Sequence, residues 1–192
     1  MEKVSIIGGG GYVGTEVCKY FLENKNIVNC VDNFIYKHSS VISDLLKNKN
    51  FNLINQCMSE MHRMDDILNC DAIIILAGLV GDPITKKYND ISIDINEVKM
   101  LRFLSYLSSN FKKKIVFVST CSNYGCKTDN DISDENSKLE PLSTYAKSKV
   151  KIENYILSNK DKFSDITILR FSTAFGLSDR MRFDLTVNEF TK

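Results

Sequence analysis

Six short runs rich in valine and isoleucine, separated by segments of helix length, constrain the fold of this chain most strongly. Their apolar residues are consecutive, a pattern typical of parallel strands covered on both faces. The alternation predicts an α/β fold, a doubly wound parallel sheet of about six strands in the order 3-2-1-4-5-6 with helices on both faces. The predicted strands are Val4–Ile7, Ile27–Val31, Phe51–Ile54, Ala72–Leu76, Ile115–Val118 and Ile166–Leu169. The predicted helices are Tyr12–Asn24, Ser40–Asn48, Met61–Leu68, Ile91–Ser109 and Thr144–Asn159.

A glycine-rich turn connects the first predicted strand to the first predicted helix. Gly8, Gly11 and Gly14 lie in this turn. Without side chains, the backbone can approach a phosphate group and present its amide N–H groups together with the helix N-terminus. The turn therefore predicts a dinucleotide pyrophosphate site in a Rossmann-type domain, with a merely flexible turn as the alternative.

Asp32 ends the second predicted strand, about twenty residues beyond the glycines, where dinucleotide-binding domains place an acidic residue. A carboxylate at this point accepts both hydroxyls of the adenosine ribose and repels a 2′-phosphate. We therefore expect NAD, with NADP disfavoured. The alternative is an ordinary aspartate in the turn that ends the strand.

Composition restricts the domain number and the partners. With 192 residues, of which 43% are hydrophobic, we expect one domain over residues 1–192. The net charge of +1 predicts no attraction to nucleic acid or to an acidic membrane. Six cysteines without C-x-x-C pairs and two histidines predict no metal site. The N-terminus has no signal-peptide pattern, and the longest apolar run falls far short of the ~20 residues of a membrane span, so we expect a cytoplasmic protein.

A hydroxyl-rich turn and a tyrosine–lysine pair are the candidate catalytic groups. Thr120 lies in the turn after the fifth strand, and Tyr145 and Lys149 share one face of the following helix because they are four residues apart. A tyrosine with a pKa of about 10 is a poor base at neutral pH, but a nearby ammonium and an oxidised nicotinamide favour its phenolate. Such a pair can serve as an acid–base catalyst. Many exposed helices carry the same spacing without any function.

The order and spacing of these motifs resemble one protein family along essentially the whole chain. The chain resembles the extended branch of the short-chain dehydrogenase/reductase superfamily, which contains the NAD-dependent nucleotide-sugar epimerases and dehydratases. The resemblance rests on the glycine turn, the aspartate at the strand end, the hydroxyl-rich turn and the helix with the Tyr-x-x-x-Lys motif, in this order. The further similar pieces are Leu76–Pro83, Asn96, Arg170–Gly176 and Arg180–Asn188.

The resemblance implies a role for each matching residue. Tyr145 would be the general base or acid on a sugar hydroxyl, Lys149 would bind the nicotinamide ribose and lower the pKa of that tyrosine, and Thr120 would orient the substrate oxygen. It also implies a nucleotide-sugar substrate and, for a full-length protein, a homodimer. The implied NAD-binding residues are Gly8, Gly11, Tyr12, Val13, Gly14, Asp32, Asn33, Leu76, Ala77, Gly78, Asn96, Tyr145 and Lys149.

Departures from the family pattern narrow the expected activity. Dehydratases of the family follow the catalytic threonine with an acidic residue, whereas Cys121 and Ser122 stand here, so we expect epimerisation or keto-reduction. Gln56–Met58 stand where many relatives have an adenine-contacting aspartate, and Thr173 stands where epimerases often have a substrate-contacting asparagine. The sugar is therefore left open. A keto-sugar or carbonyl reductase and a non-catalytic NAD-binding module remain as alternatives.

The end of the chain also differs from the family. Members of the family continue well beyond the position that corresponds to Lys192. We therefore expect residues 177–192 to begin a truncated C-terminal region and most of the substrate domain to be missing. Whether this chain is active alone, or is an inactive fragment, stays open.

Overall fold

All six strands pair in parallel and form one sheet in the order β3-β2-β1-β4-β5-β6. This computed structural model describes residues 1–60, 62–127 and 132–191. The predicted fold class and strand order are confirmed. The strands are β1 (Lys3–Ile7), β2 (Ile27–Asp32), β3 (Phe51–Asn55), β4 (Ala72–Ile75), β5 (Lys114–Thr120) and β6 (Asp165–Phe171).

Helices of very different length connect the strands. The α-helices are α1 (Tyr12–Glu23), α2 (Met64–Leu68), α3 (Asp82–Lys87), α4 (Asn89–Ile93), α5 (Met100–Asn110), α6 (Thr144–Ser158) and α7 (Thr186–Phe190). A π-helical segment, Asp94–Lys99, joins α4 to α5. Short 3₁₀ turns occupy Ser39–Ile42, Leu45–Lys47, Cys121–Tyr124 and Lys160–Lys162.

Two apolar clusters lie on opposite faces of the sheet. Ile6 of β1 packs in a cluster with Cys18 and Leu22 of α1. Its neighbour Ile7 belongs to a cluster with α2, α5 and α6, which includes Phe103 of α5. Successive strand side chains point to opposite faces, so adjacent apolar residues are needed to fill both clusters. This explains why apolar residues are adjacent in the central strands, where the buried polar residues Ser5 and Asn29 hydrogen-bond each other.

The outer strand β6 is the exception to the predicted two-sided cover. Ile166 and Ile168 pack against the larger cluster, whereas the alternate residues Leu169 and Phe171 are 40% and 37% exposed. In the described part of the chain, β6 is therefore covered on one face. The expectation of full burial holds for the central strands only.

The helices differ from the prediction at four places. The predicted helix Ser40–Asn48 is instead a pair of 3₁₀ turns. The predicted helix Ile91–Ser109 begins earlier, at Asn89, and contains the π-helical segment. Helix α3, whose first turn contains Pro83, was not predicted. Helix α2 begins at Met64, and its predicted start, Met61, lies outside the described residues.

In residues 1–60, 62–127 and 132–191, no helix is both long and apolar enough to cross a bilayer. No group of three or more His, Cys, Asp or Glu side chains that could hold a metal ion occurs in these ranges either. All six cysteines lie in the described ranges as free thiols.

Candidate cofactor and active site

One cleft of about 730 Å³ runs along the carboxyl ends of the strands. It lies where the strand order reverses between β1 and β4, the usual ligand position in open α/β sheets. Its volume is within the range of small-molecule sites. The predicted site residues that line it are Gly8, Gly11, Tyr12, Val13, Gly14, Asp32, Asn33, Leu76, Ala77, Gly78, Thr120, Tyr145 and Lys149.

The glycine turn is packed too closely for side chains. Gly8 has a φ of +85°, and its N–H donates to the Val31 carbonyl at 2.7 Å. A Cβ at Gly8 would lie 2.7 Å from the backbone nitrogen of Ala77, and one at Gly14 would collide with the Gly8 carbonyl oxygen. Helix α1 therefore starts directly against the end of β1. The result is a cradle of bare backbone of the kind that a pyrophosphate requires.

Asp32 connects the end of β2 to this turn. One carboxylate oxygen accepts the Gly10 N–H at 3.0 Å, and the other accepts the Phe34 N–H at 2.8 Å. A carboxylate has about four acceptor positions, so further capacity is left for ribose hydroxyls. The neighbouring Asn33 is exposed, and its side-chain oxygen accepts the Ile35 N–H at 3.3 Å.

Asn96 supports the cleft from behind. It is 3% exposed in the π-helical segment, and it is not among the described residues that line the cleft. Its side chain accepts the Leu79 N–H at 2.8 Å and donates to the Leu79 carbonyl at 2.9 Å. A Cβ on Gly78 would lie 2.9 Å from the Asn96 amide oxygen. Asn96 thus holds the loop after β4, whose residues Leu76, Ala77 and Gly78 face the cleft.

Two side-chain caps bring the candidate catalytic residues to the cleft. Thr120 is the last residue of β5, and its hydroxyl oxygen accepts the Ser122 N–H at 3.2 Å. The Ser143 hydroxyl accepts the Ala146 N–H at 3.2 Å, which starts α6 and places Tyr145 in its first turn. Both candidate residues therefore lie where an element begins or ends at the cleft.

Lys149 is buried beside Tyr145, with only 5% of its surface exposed. Its Nζ donates to the Val118 carbonyl at 2.7 Å and lies 5.7 Å from the centroid of the Tyr145 ring. Burial lowers the pKa of Lys149 from 10.5 to about 8, and the charge of Glu153 opposes this shift. The predicted tyrosine–lysine pair is thus brought together inside the fold.

His38 and Tyr36 are cleft residues that were not identified from the sequence, unlike Arg180, which begins the family-like segment Arg180–Asn188. His38 lines the cleft, and both of its ring nitrogens are buried without a hydrogen-bond partner among the described residues. Burial lowers its pKa. Arg180 lies 4.9 Å from the centroid of the Tyr36 ring, and both residues line the same cleft. No spacing motif marks His38 or Tyr36, because residues far along the chain complete their surroundings.

The segment after β6 folds back over the start of α1. The Tyr12 hydroxyl donates to the Gly176 carbonyl at 2.7 Å and accepts the Asn188 side-chain N–H at 2.9 Å. The Ser178 hydroxyl donates to the Tyr12 carbonyl at 2.7 Å. Tyr12 therefore anchors residues 176–188 against the glycine turn, in addition to lining the cleft.

These features match a known family. The model of the NAD dependent epimerase/dehydratase family matches residues 4–190. The chain belongs to this family. The family resemblance inferred from the motifs is confirmed, and the sequence match covers both the glycine turn and the Tyr-x-x-x-Lys helix.

Relatives of this family member include sugar-nucleotide epimerases. UDP-glucose 4-epimerase 3 of Oryza sativa is 28% identical over 189 residues, which are 90% of this chain and 49% of that protein. UDP-glucose 4-epimerase of Lacticaseibacillus casei is 26% identical over 155 residues, 78% of this chain and 44% of that protein. The chain spans about half the length of these curated relatives.

A solved epimerase structure has the same fold. UDP-glucuronic acid 4-epimerase from Bacillus cereus, in complex with UDP-glucuronic acid and NAD, superposes with a TM-score of 0.86 at 24% identity. The match covers 97% of this family member and 60% of the Bacillus chain. The six-stranded Rossmann-type sheet is therefore shared with an NAD-bound epimerase.

Proposed function

We propose that this family member binds NAD in the cleft and acts as a nucleotide-sugar epimerase-like oxidoreductase. One observation carries the proposal: Thr120, Tyr145 and Lys149 line the same cleft as the glycine turn and Asp32. In the oxidation of an alcohol, the acid–base group removes the hydroxyl proton while the dinucleotide accepts the hydride, so the two sites must lie in the same cleft.

The residues present fit NAD. The cradle at Gly8 and Gly14, which a Cβ would fill, would receive the pyrophosphate. Asp32 would accept the adenosine ribose hydroxyls and would disfavour the 2′-phosphate of NADP. Lys149 would bind the nicotinamide ribose. The loop that Asn96 holds would line the groove through its backbone.

Residues of this chain would transfer the proton of the sugar hydroxyl. NAD, when bound, supplies reversible hydride acceptance from a sugar carbinol carbon. The Tyr145 phenolic oxygen would take the hydroxyl proton and later return it, while the Lys149 ammonium stabilises the phenolate. The Thr120 hydroxyl would hydrogen-bond the substrate oxygen and orient it. Because Cys121 and Ser122 supply no carboxyl group, we propose epimerisation rather than dehydration.

The proposal is tested with Tyr145→Phe. We expect NAD affinity, measured by calorimetry, to be retained, because the ring remains in place. We expect the rate at which UDP-, GDP- or dTDP-sugars reduce bound NAD to fall by about 10²-fold or more, because the acid–base oxygen is lost. Tyr155→Phe on the same helix is the matched control, since Tyr155 packs against the apolar cluster beneath the sheet, and it should behave as wild type.

The outcomes separate the alternatives. An unchanged rate in Tyr145→Phe would refute the assigned role of Tyr145. Stoichiometric release of free NADH would identify a keto-sugar or carbonyl reductase, because an epimerase regenerates its cofactor in each cycle. Binding of NAD without binding of any sugar nucleotide would identify a cofactor-binding module.

A further inference from the structure

Glu153 is a fully buried carboxylate that the proposed mechanism does not use. It lies on α6 one turn after Lys149 and is 0% exposed. Its Oε1 accepts the Ser119 hydroxyl at 2.5 Å and the Asn123 side-chain N–H at 2.7 Å. Ser119 precedes Thr120 directly, and Asn123 lies in the turn that follows. The carboxylate therefore joins α6 to both sides of Thr120.

Arg170 of β6 neutralises this carboxylate. Its Nη2 donates to the Glu153 Oε2 at 2.7 Å and its Nε donates to the same oxygen at 3.1 Å. Its Nη1 donates to the Tyr124 hydroxyl at 3.0 Å, so the guanidinium also reaches the turn after β5. The pairing raises the pKa of Arg170. One network, with the buried Glu153 and the partly buried Arg170, thus connects α6, β6, the end of β5 and the turn.

The network determines where the Thr120 hydroxyl can lie. That hydroxyl accepts an N–H from its own turn, from Ser122, so its position follows the backbone of the turn. A buried charge is tolerated only when it is paired and hydrogen-bonded, and Glu153 meets both conditions through Arg170, Ser119 and Asn123. The side-chain oxygen of Asn123 has no hydrogen-bond partner among the described residues, so the restraint on the turn comes from the bonds to the carboxylate. Movement of the turn relative to α6 would break these charge-assisted bonds.

We propose that Glu153 is a positioning residue, which holds the Thr120 turn against the helix that carries Tyr145 and Lys149. This inference rests on the proposed function. The described residues that line the cleft do not include Glu153, so it acts through the groups that it holds.

The negative charge of Glu153 also affects the pKa of Lys149. Glu153 faces Lys149 along α6, Ser119 and Asn123 from the β5 end, and Arg170 from β6. Lys149 itself faces the Val118 carbonyl and the rings of Phe117 and Tyr145. Since the negative charge favours the Lys149 ammonium, its removal lowers the pKa of Lys149 further. The ammonium is then lost at a lower pH than in the wild type.

The experiment compares Glu153→Gln with Glu153→Asp. Two quantities are measured: amide hydrogen exchange over residues 119–124, and the rate and pH profile of NAD reduction at saturating sugar nucleotide. In the Gln variant we expect faster exchange over 119–124, a rate lower by about 10²-fold, and an alkaline limb moved to lower pH. NAD affinity should be unchanged. The Asp variant, which keeps the charge, should restore most of the rate and the wild-type pH profile.

Two further variants make the test independent of folding. Ser119→Ala removes the hydrogen bond from Ser119 to Glu153 but keeps the ion pair between Glu153 and Arg170, so this variant should fold. Its amide exchange over 119–124 should be faster and its rate of NAD reduction lower than in the wild type, and both changes should be smaller than in Glu153→Gln. Glu97→Gln is the matched control, because Glu97 also bonds α6, through Ser148 and Lys151, but away from Thr120. It should leave exchange at 119–124 and the rate unchanged.

Three results would overturn the inference. These are a Gln variant with wild-type rate and pH profile, a rate loss that Asp does not restore, or a Ser119→Ala variant with unaltered exchange at 119–124. If the wild-type chain reduces no NAD, the proposed function fails. The exchange measurements still decide whether Glu153 holds the turn.

Discussion

Lys149 is held in a state that costs the fold free energy. It is buried, and its pKa is lowered from 10.5 to about 8 mainly because burial penalises the charged form. At about 1.4 kcal/mol per pH unit, this shift corresponds to about 3 kcal/mol. Groups with strongly shifted pKa values cluster at functional sites, so this penalty agrees with the role that we propose for Lys149 at the cleft.

We expect Lys149→Met to stabilise the fold at neutral pH. Below about pH 8 the lysine is charged in both states and the full burial penalty applies. Between about pH 8 and 10.5 the unfolded chain binds more protons than the folded one, so wild-type stability rises with pH. Allowing about 1 kcal/mol for the lost bond to the Val118 carbonyl, the variant should gain about 2 kcal/mol at neutral pH. That gain should shrink towards about pH 10.

Urea unfolding at both pH values measures this difference. Lys151→Met is the control, because Lys151 lies on the same helix but its side chain is 60% exposed. Its effect should stay within about 0.5 kcal/mol at both pH values. A Lys149→Met variant that is less stable than wild type at neutral pH, or whose gain does not change with pH, would contradict the assignment.

The sequence was informative about residues whose role depends on local spacing. Gly8 and Gly14 follow a strand at fixed positions, and Tyr145 and Lys149 are one helical turn apart, so their arrangement follows from local geometry. Glu153 has no such signal. Its partners Ser119 and Arg170 are 34 and 17 positions away, and only the sheet register brings them together.

At the level of elements, strands were easier to predict than short helices. Buried Val and Ile runs allow little besides a strand in a covered sheet, and the observed strands agree with the predicted ones to within two residues at each end. In the predicted helix Ser40–Asn48, the buried residues are Ile42 and Leu45, three positions apart. Ile42 ends the first 3₁₀ turn and Leu45 begins the second, so each short turn buries one apolar side chain and no long helix is needed.

Helix α6 depends on its N-cap for the position of Tyr145. Ser143→Ala removes the oxygen that accepts the Ala146 N–H, and we expect a loss of about 1 kcal/mol in the free energy of unfolding. Ser143→Asp, which keeps an acceptor, should lose much less. Denaturant unfolding of both variants measures this, and equal losses would show that the cap does not stabilise the helix start.

On the scale of the whole molecule, the two ends of the described chain meet at α1. Tyr12 and Gly176 are 164 positions apart, and Thr15 and Ser178, also in contact, are 163 apart. Lys19 pairs with Asp179 at 3.0 Å on the same side of the helix. No local pattern could predict these contacts. Gly176, Ser178 and Asp179 lie in an irregular segment, and the path of this segment depends on the completed sheet.

The Tyr12 hydroxyl should control how firmly residues 176–188 are held. Tyr12→Phe removes one donated and one accepted hydrogen bond and leaves the buried Asn188 amide with one partner fewer. We expect the local opening free energy of this segment to fall by about 1–3 kcal/mol. Amide exchange over 176–188 should therefore accelerate by about 5- to 150-fold, while exchange in β1 and β5 stays unchanged.

Tyr20→Phe is the matched control for this prediction, because Tyr20 lies on the same helix and is 62% exposed. It should leave exchange over 176–188 at the wild-type rate. If Tyr12→Phe accelerates exchange throughout the sheet, Tyr12 supports the whole fold rather than the segment. If it changes nothing, the contacts of Ser178 and Asp179 with α1 hold the segment by themselves. Selective acceleration of exchange over 176–188 would show that Tyr12, the first residue of α1, anchors this segment beside the cleft.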